Sequence, residues 1–378
     1  MLVSRQRSFA CGIFRSTGEY RRMKAAFRSP IVTEDMQFIT GTALPWQELR
    51  GATILVAGAY GFLPAYLIEA LLFLNELEDS FGVKVIGLCR SREKAARRFA
   101  FYQDRKDLHF VFQDVCDPLA YTGPVDFIIH GASWASPRFY GSDPVGVMLP
   151  NIIGTRNLLD VARERGCRAM LFMSSAEIYG RADPAYIPTP EDYCGCVDPA
   201  ELRSCYAEAK RIAETMCVAW HHQHGVPAKI IRIFHTYGPG MALDDGRVFA
   251  DFVADVVAGR NIRLRSAGTT RRAFCYLADF VVGALLVLLR GDPAVPYNLG
   301  NDEAEISVRE LAELLVRLFP ERHLALEHIP EDRSGYIPTR VERACPDTTR
   351  LRSLGWKPRF GLEEGFRRTV QFYLEAEQ

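Results

Sequence analysis

The sequence predicts a doubly wound α/β fold, with a parallel central sheet and a smaller C-terminal α/β lobe. From residue 51 onward, short β-branched apolar runs alternate with longer helical stretches, and after residue 236 this rhythm loosens. Strands that are apolar on both faces and are separated by helices are typical of a parallel sheet covered on both sides. Ligands of such folds bind at the carboxyl ends of the strands, so we expect the second lobe to close over that edge.

The individual elements follow from the same alternation. Apolar runs predict strands at 52–58, 83–89, 108–115, 125–133, 169–175, 228–234 and 295–301. Helical spacing of apolar residues predicts helices at 64–77, 91–101 and near 144–165, and a further helix around 203–217. Two more helical patterns, at 307–319 and near the C-terminus, belong to the smaller lobe.

Composition excludes several classes of function. Hydrophobic residues make up 48% of the 378 residues, and 46 basic side chains balance 46 acidic ones. No net field would draw such a chain to nucleic acid or to an anionic membrane, so we expect a small substrate held by local groups. The ten cysteines contain no Cys-x-x-Cys pair, which indicates reduced thiols, and no apolar run reaches the roughly 18 residues of a membrane span. We therefore expect a cytoplasmic protein.

The first thirty residues differ from the rest, with seven Lys or Arg residues and one acid, Glu19. An organelle-targeting peptide has this composition. We favour instead a mobile tail, or a start codon placed too early ahead of Met23 or Met36. We treat residues 1–45 as a basic, mobile extension outside the fold.

A glycine turn follows the first predicted strand and opens a helix, in the sequence GAYGFLPA (58–65). Gly58 permits a tight turn, and Gly61 lets the backbone approach a pyrophosphate at the positive helix end. With Phe62 and Leu63, these residues predict a Rossmann-type dinucleotide site. Pro64 replaces the third glycine of the fuller motif, in a first helical turn that tolerates proline. An ordinary strand-to-helix turn is the alternative.

The ends of the next strands decide which dinucleotide is bound. An acid that holds the adenosine ribose is expected after the second strand, where this chain has Arg90. Arginine there would accept a 2′-phosphate or stack on adenine, so the sequence leaves NAD and NADP open. Asp114 is placed to meet adenine, although a solvated loop carboxylate is the alternative. We assign Arg90, Asp114, Val115 and Ala132 to the dinucleotide site.

Tyr206 and Lys210 lie one helical turn apart in RSCYAEAKRIAETMC (203–217). A nearby ammonium favours a phenolate, so the pair would make a base by lowering a pKa that is ordinarily about 10. Ordinary surface packing also produces this spacing. At the end of an earlier strand, Ser174, Ser175 and Glu177 reach the edge that carries the glycine turn. A hydroxyl there would share a hydrogen bond with a substrate alcohol, and the glutamate would do acid–base work.

A run of histidines at 221–224 raises the question of a metal site. Only His221 and His224 share a helical face, and no cysteine or carboxylate cluster joins them at ligand spacing. We predict no metal site.

These motifs together resemble an extended short-chain dehydrogenase/reductase of the nucleotide-sugar epimerase and dehydratase class. The similarity runs from about residue 51 to 372. Within the class, five blocks are most similar to the UDP-glucuronate decarboxylase branch: 130–159, 175–180, 203–217, 232–252 and 271–283. The resemblance implies a nicotinamide cofactor that is held throughout the cycle, and a homodimer paired through the Tyr206 helix and the helix before the Ser-x-Glu strand.

The resemblance also implies residue roles. Tyr206, helped by Lys210 and Ser175, would take the proton of the sugar 4-hydroxyl while hydride leaves C4. The 4-keto group would let the C5 carboxylate leave as carbon dioxide. Glu177 and Arg272 match positions tied to the later steps, although Arg272 would otherwise be a salt bridge near the lobe junction. The substrate-binding positions that match the family are Ser136, Arg247, Arg272 and Tyr276.

Departures from the family pattern keep other reactions open. Ala176 stands where 4,6-dehydratases carry the acid that protonates the departing 6-hydroxyl, which disfavours dehydration. His235 replaces the usual asparagine of the decarboxylases, and Gly240 a frequent arginine. A 4-epimerase is the nearest alternative, followed by a 4,6-dehydratase; a non-catalytic dinucleotide sensor is the alternative from another class. We expect a dinucleotide-binding domain at 46–235 plus 270–300, and a nucleotide-sugar-binding lobe at 236–269 plus 301–378.

Overall fold

The structure is a computed structural model that describes residues 29–329 and 341–377. Its main sheet contains seven parallel strands in the order β10-β6-β5-β4-β1-β2-β3. These strands are β1 Thr53–Ala57, β2 Lys84–Cys89, β3 Leu108–Phe112, β4 Phe127–His130, β5 Ala169–Ser175, β6 Ala228–Ile233 and β10 Pro296–Leu299. The predicted doubly wound parallel sheet is confirmed.

Both faces of this sheet are buried by helices. In β1, Ile54 and Val56 belong to one hydrophobic core, whereas Leu55 and Ala57 belong to a second core on the opposite face. The helices are α1 Pro30–Thr40, α2 Phe62–Leu77, α3 Arg92–Arg98, α4 Arg138–Ser142, α5 Pro144–Arg165, α6 Ser204–His224, α7 Val248–Val257, α8 Leu277–Arg290, α9 Val308–Leu318, α10 Thr349–Ser353 and α11 Leu362–Glu377. Helices α1, α2 and α8 cover the first face, and α5 and α6 cover the second. Burial on both faces explains why the strands are almost continuously apolar.

The smaller lobe is built on two further sheets. Its strands are β7 His235–Tyr237, β8 Ile262–Leu264, β9 Arg271–Tyr276, β11 Glu305–Ser307, β12 Leu326–His328 and β13 Arg343–Ala344. Strand β9 pairs with β7, β11 and β13, and β8 pairs with β12. Strand β9 begins next to the expected domain boundary at residue 270 and, within the described residues, pairs only with strands of these smaller sheets. The division of the chain into two domains stays a prediction.

Helix α1 lies inside the segment that we expected to be a mobile extension. Its apolar face, with Ile31, Met36 and Ile39, is buried in the same core as α2 and α8. The buried carboxylate of Asp35 also accepts hydrogen bonds from the hydroxyls of Tyr66, at 2.6 Å, and Tyr276, at 2.7 Å. The described part of the segment therefore belongs to the fold. The remainder of the predicted extension, residues 1–28, lies outside the described residues.

Within residues 29–329 and 341–377, no helix is both long and apolar enough to cross a bilayer.

Candidate active site

The glycine turn brings two strand ends into close contact. Gly58 has φ +79°, and a Cβ atom there would come within 2.8 Å of Ala132 Cα and of the Gly131 carbonyl oxygen. A side chain at Gly58 would therefore be strained by its backbone conformation and by the end of β4. Gly61 is the N-cap of α2, which begins at Phe62 and Leu63. The first amides of a helix have no intrahelical partner, so this turn suits a phosphate.

The structure brings six of the residues predicted for the dinucleotide site together in one cleft at the carboxyl edge of the sheet, whereas Phe62 and Leu63 begin α2 and are not among the lining residues. Gly58, Gly61, Arg90, Asp114, Val115 and Ala132 all line it. Trp134, which no sequence pattern indicated, also lines the cleft, and the Arg90 guanidinium lies 5.0 Å from the centre of its ring. An isolated tryptophan in a loop carries no spacing signal that would have identified it.

Arg90 and Asp114 form a pair inside this cleft. Arg90 Nη1 lies 3.5 Å from Asp114 Oδ2, and the Cys116 amide donates to Asp114 Oδ1 at 2.9 Å. Burial by itself would raise the pKa of Asp114, but the hydrogen bonds of Cys116 and the charge of Arg90 outweigh it and lower the pKa. Asp114 therefore presents an ionised carboxylate to the cleft, and part of the positive charge of Arg90 is already neutralised.

The cleft fits a dinucleotide in one further respect. Among the described residues, the buried hydroxyl of Ser133 has no hydrogen-bond partner, and Ser133 lines the cleft next to the glycine turn. A buried hydroxyl without a partner is costly, so a polar ligand is the natural partner for it. Ser133, together with the glycine turn and the Arg90–Asp114 pair, would hold such a cofactor.

The predicted catalytic side chains meet where β5 ends. Tyr206 and Lys210 lie on α6, and the Ser175 hydroxyl hydrogen-bonds the Tyr206 phenol. Lys210 Nζ donates to the Met173 carbonyl at 2.5 Å and lies 5.7 Å from the centre of the Tyr206 ring. Both side chains are almost fully buried, with exposed fractions of 5% for Tyr206 and 2% for Lys210. The pair therefore lies on the buried face of α6 and not on its exposed surface.

The expected lowering of the Tyr206 pKa is wrong for this structure. Burial raises the pKa of Tyr206 to about 12, which outweighs the hydrogen bond from Ser175 and the positive charge of Arg247. Burial also lowers the pKa of Lys210 to about 7, so its positive charge is only partly present at neutral pH. The spacing of the two residues correctly predicted their proximity but did not reveal the cost of desolvating them.

The burial of Lys210 predicts a pH-dependent stability. Its folded-state pKa, about 7, lies below the unfolded value of about 10.4. Below pH 7 the amine is charged in both states and folding carries the full desolvation cost, whereas above about pH 10.4 it is neutral in both. The Lys210→Met variant should therefore exceed the wild type in unfolding free energy by up to roughly a few kcal/mol near pH 6, because one pKa unit is worth about 1.4 kcal/mol. This difference should fade by about pH 10.

Urea denaturation of both proteins between about pH 6 and 10 measures this difference. Lys84→Met is the control, since Lys84 is exposed at the start of β2. A Lys210→Met difference that does not change with pH would contradict the assignment.

Glu177 faces the same centre from the short helical turn after β5. Its carboxylate lies 3.7 Å from Arg203 Nη2, and Arg203 lies over the ring of Tyr140 at 5.5 Å. Tyr140 stacks on Tyr206, with ring centres 5.4 Å apart. Glu177 is about one third exposed, so it can reach solvent and the site alike. The sequence analysis missed Tyr140 and Arg203, because only the folded chain brings α4 and the start of α6 together.

Two predicted substrate residues are linked through Asp245. Ser136 donates to the Asp245 carbonyl at 2.6 Å, and Arg247 Nε lies 3.5 Å from Asp245 Oδ2. The charge of Arg247 lowers the pKa of Tyr206, so Arg247 also borders the catalytic centre. The structure thus brings Ser136 and Arg247 to one side of the site.

Arg272 is held by the main chain. Its guanidinium donates to the carbonyls of Arg271 at 2.7 Å, Glu342 at 3.2 Å and Val341 at 2.7 Å. With Arg247 it also contributes to the low pKa of the half-buried His235, after desolvation itself. Arg272 therefore borders the same region, but much of its hydrogen-bonding capacity is used by carbonyl groups.

Tyr276 does not join the site. It is fully buried, and its hydroxyl donates to Asp35 at 2.7 Å and lies 3.3 Å from Arg368 Nε. The predicted substrate contact of Tyr276 is therefore corrected to a structural role, which joins α1 to α11. The resemblance to the family suggested a site residue, but the side chain points into the core.

The histidine run lies at the C-terminal end of α6. His221 Nδ1 lies 3.0 Å from the carbonyl of Val226, where α6 ends. The described ranges, 29–329 and 341–377, contain no group of three or more His, Cys, Asp or Glu side chains placed to hold an ion.

Comparison with known proteins agrees with this geometry. A model of the NAD dependent epimerase/dehydratase family matches residues 54–300. The chain is 37% identical over 315 residues to UDP-glucuronic acid decarboxylase 5 of Arabidopsis thaliana, covering 82% of this chain and 86% of that protein. It is 36% identical over 321 residues to UDP-glucuronic acid decarboxylase 1 of Danio rerio, covering 85% and 72%.

Solved structures of similar fold include DesIV, a dTDP-glucose 4,6-dehydratase of Streptomyces venezuelae with NAD and TYD bound. It superposes with a TM-score of 0.72 at 25% identity, covering 85% of this chain and 97% of that one. The family match and the curated relatives span most of the described fold, including the glycine turn and the Tyr206 helix. The chain therefore belongs to the NAD-dependent epimerase/dehydratase family.

Proposed function

We propose that this protein converts UDP-glucuronate to UDP-xylose through a transient 4-keto sugar, with NAD as its cofactor. The observation that carries this proposal is the similarity to UDP-glucuronic acid decarboxylases, with identities of 33% to 38% over more than four fifths of the chain. The meeting of Tyr206, Ser175 and Lys210 beside a dinucleotide cleft supports the oxidising step of the reaction.

The cleft favours NAD over NADP. Gly58 and Gly61, with the start of α2, would hold the pyrophosphate, and Asp114 would meet the adenosine. A 2′-phosphate near Arg90 would have to compete with the Asp114 carboxylate that already pairs with it. The phosphate would also approach that negative charge, which is unfavourable in a partly buried cleft.

Tyr206 Oη takes the proton of the sugar 4-hydroxyl. NAD, when bound, would supply the acceptor and later the donor of the C4 hydride. The Ser175 hydroxyl orients the reacting oxygen, because it already hydrogen-bonds the Tyr206 phenol. The ammonium form of Lys210 and the positive charge of Arg247 favour the phenolate, and they oppose the effect of burial.

The ketone at C4 lies β to the C5 carboxylate, so carbon dioxide can leave with its bonding electrons delocalised into an enolate. Glu177 is placed to protonate C5 afterwards, because it borders the centre and remains partly exposed. Ala176 provides no acid for loss of a 6-hydroxyl. Arg247, Arg272 and Ser136 supply positive charge and a hydroxyl for the acidic groups of the substrate.

Product analysis tests this proposal. The purified protein is incubated with NAD⁺ and UDP-glucuronate labelled with carbon-13 at the carboxyl carbon, and the label is followed by NMR. Labelled carbon dioxide together with a UDP-pentose is the expected result. An intact carboxyl with inverted C4 would instead indicate a 4-epimerase, and no turnover of any nucleotide sugar would indicate a dinucleotide sensor.

We also propose a homodimer paired through α5 and α6. Large apolar side chains are exposed on α5, namely Val145 at 61% and Leu149 at 43%, and on α6, namely Ile212 at 44% and Val218 at 45%. Several large apolar side chains exposed on two neighbouring helices are typical of an interface.

Light scattering tests the pairing. The wild type is expected to have the mass of a dimer, and Ile212→Asp combined with Val218→Asp the mass of a monomer, because two buried, unpaired carboxylates would be costly in the interface. Leu77→Asp is the control, since Leu77 is 61% exposed at the end of α2. A monomeric wild type, or a dimeric double variant, would refute the proposal.

We place the reaction in the cytoplasm. The nine cysteines that the structure describes are free thiols, which suits a reducing compartment. Fractionation of cells with an antibody against the protein tests this placement, and enrichment in an oxidising compartment would contradict it.

A further inference from the structure

Three consecutive residues of β5 hold three residues that lie one turn apart on α6. In the first pair, the Ser175 side chain hydrogen-bonds Tyr206. In the second, the Lys210 ammonium donates to the Met173 carbonyl at 2.5 Å. In the third, the Ser174 hydroxyl donates to the Glu214 carboxylate at 2.5 Å. The first two pairs form the catalytic site. The third lies one turn farther along α6, and the proposed reaction has not used it.

Glu214 is buried, with an exposed fraction of 8%, and is held from two sides. Ser174 donates to its Oε1, and Arg232 on β6 donates to Oε2 through Nη2 at 2.8 Å and to Oε1 through Nε at 3.1 Å. A buried carboxylate persists only when its partners compensate for lost hydration. Arg232 also donates to the Tyr179 hydroxyl at 3.0 Å, which ties the pair to the segment that carries Glu177.

Glu214 is also the anion that faces Lys210. The other titratable groups around the Lys210 amine are Tyr206 and Cys217 on α6, whose pKa values are raised by burial, and His130 on β4, whose pKa burial lowers to about 3. All three are therefore neutral at pH 7. Burial lowers the pKa of Lys210, whereas Glu214 raises it. A negative charge one turn away opposes the desolvation that would leave Lys210 uncharged.

We infer, on the basis of the proposed function, that Glu214 is a positioning residue for oxidation at C4: through Ser174 it sets the register of α6 on β5, and through its charge it keeps Lys210 an ammonium beside Tyr206. A residue that only anchored the helix would stabilise the fold without affecting the protonation of Lys210. The two roles therefore differ in what they predict for the Lys210 amine.

Titration of the lysine side chains separates these roles without any turnover. The chain contains seven lysines, so protein labelled with carbon-13 at the lysine ε-carbon should give few NMR signals. The signal of Lys210 is the one that disappears in the Lys210→Met variant. In Glu214→Gln the midpoint of Lys210 should move to lower pH by about one unit, because the opposing carboxylate is gone. Glu208→Gln is the matched control on the same helix, since Glu208 is only partly buried and pairs with Arg211 at 3.8 Å. Its midpoint should not move.

Kinetics then connects the titration to the reaction. Above the midpoint, a shift of one pH unit lowers the ammonium fraction of Lys210 about tenfold, so kcat of Glu214→Gln at pH 8 should fall by roughly that factor while KM changes little. The decline of kcat with pH should also begin at lower pH. Glu214→Asp, which keeps the charge, should restore most of the activity and the wild-type profile.

An unchanged Lys210 midpoint in Glu214→Gln would overturn the inference. Should that variant fail to fold because Arg232 is left unpaired, Glu214→Gln combined with Arg232→Met removes both charges and is measured in its place. If the wild type does not turn over UDP-glucuronate, the proposed function fails, whereas the titration still tests the link between Glu214 and Lys210.

Discussion

Turnover of UDP-glucuronate by the Tyr206→Phe variant is expected to fall about 10²- to 10⁴-fold, the range for loss of a positioned acid–base group. Phenylalanine fills the same space between Tyr140 and Lys210 but has no oxygen to receive the 4-hydroxyl proton. The hydrogen bond with Ser175 is lost as well. Steady-state kinetics measures the effect, and binding of NAD⁺ by calorimetry should be nearly unchanged.

Removal of another buried phenol provides the control. Tyr297 lies on β10, and its hydroxyl accepts from the Asp292 amide at 3.0 Å, at the amino end of the strand. Tyr297→Phe should therefore keep its turnover, even where its stability falls by about 1 kcal/mol for the lost hydrogen bond. Turnover of Tyr206→Phe within about tenfold of the wild type would rule out Tyr206 as the base.

Replacing Gly58 with alanine is expected to lower the free energy of unfolding by roughly 2–5 kcal/mol and to abolish measurable NAD⁺ binding. The left-handed backbone at φ +79° costs about 1–2 kcal/mol for a residue with a Cβ, and overpacking adds about 1–3 kcal/mol. The overpacking arises because the new atom would lie 2.8 Å from Ala132 Cα and from the Gly131 carbonyl oxygen. Relief of that contact would separate the ends of β1 and β4, where the cleft begins.

A second glycine isolates the steric contribution. Gly51 has φ +68°, and a Cβ atom there would meet nothing within 4 Å. The free energy of unfolding of Gly51→Ala should therefore fall by only about 1–2 kcal/mol, the cost of the left-handed backbone conformation, and the variant should keep its affinity for NAD⁺. Urea denaturation and calorimetry of both variants make the comparison. Equal losses of unfolding free energy and of NAD⁺ affinity in the two variants would show that contact of residue 58 with the end of β4 does not determine the effect.

The central sheet and the proximity of Tyr206 and Lys210 were predictable because both depend on local patterns. Apolar runs such as β1 and β5 are buried on both faces, so the pattern alone indicates a parallel sheet. Parallel strands end at one edge, which places Gly58, Ser175 and the Tyr206 helix at a common site. Spacing on one helix face then predicts that Tyr206 and Lys210 approach each other.

Contacts between distant parts of the chain were not predictable in this way. Helix α1 is joined to the rest of the fold by hydrogen bonds of Asp35. Its partners are Tyr66, Tyr276 and Arg368, which come from three other elements. No spacing in the sequence relates those residues. The basic composition before residue 30 also led to the prediction of a mobile extension over residues 1–45. The apolar face of α1 is too short to have revealed that this helix packs on the fold.

The protonation states of the site residues were also not predictable from the sequence. The charge of Lys210 suggested an acidic phenol at Tyr206, but desolvation of both side chains depends on burial that only the folded chain reveals. Arg272 was predicted to meet the substrate, and the structure adds three carbonyl partners that the sequence does not indicate. Residue type therefore identified these groups, whereas their surroundings determine their protonation and their free hydrogen-bonding capacity.

The most direct test of the account follows hydrogen at C4 of the sugar. UDP-glucuronate carrying deuterium at C4 is converted in a single turnover, and both the rate and the position of the label are measured. The account predicts slower conversion than with the unlabelled substrate, and deuterium retained at C4 of the pentose, because the same hydride leaves and returns. Equal rates for the labelled and unlabelled substrates would indicate that C4 is never oxidised, and release of the deuterium to water would indicate that the same hydride does not return. Either result would contradict the account.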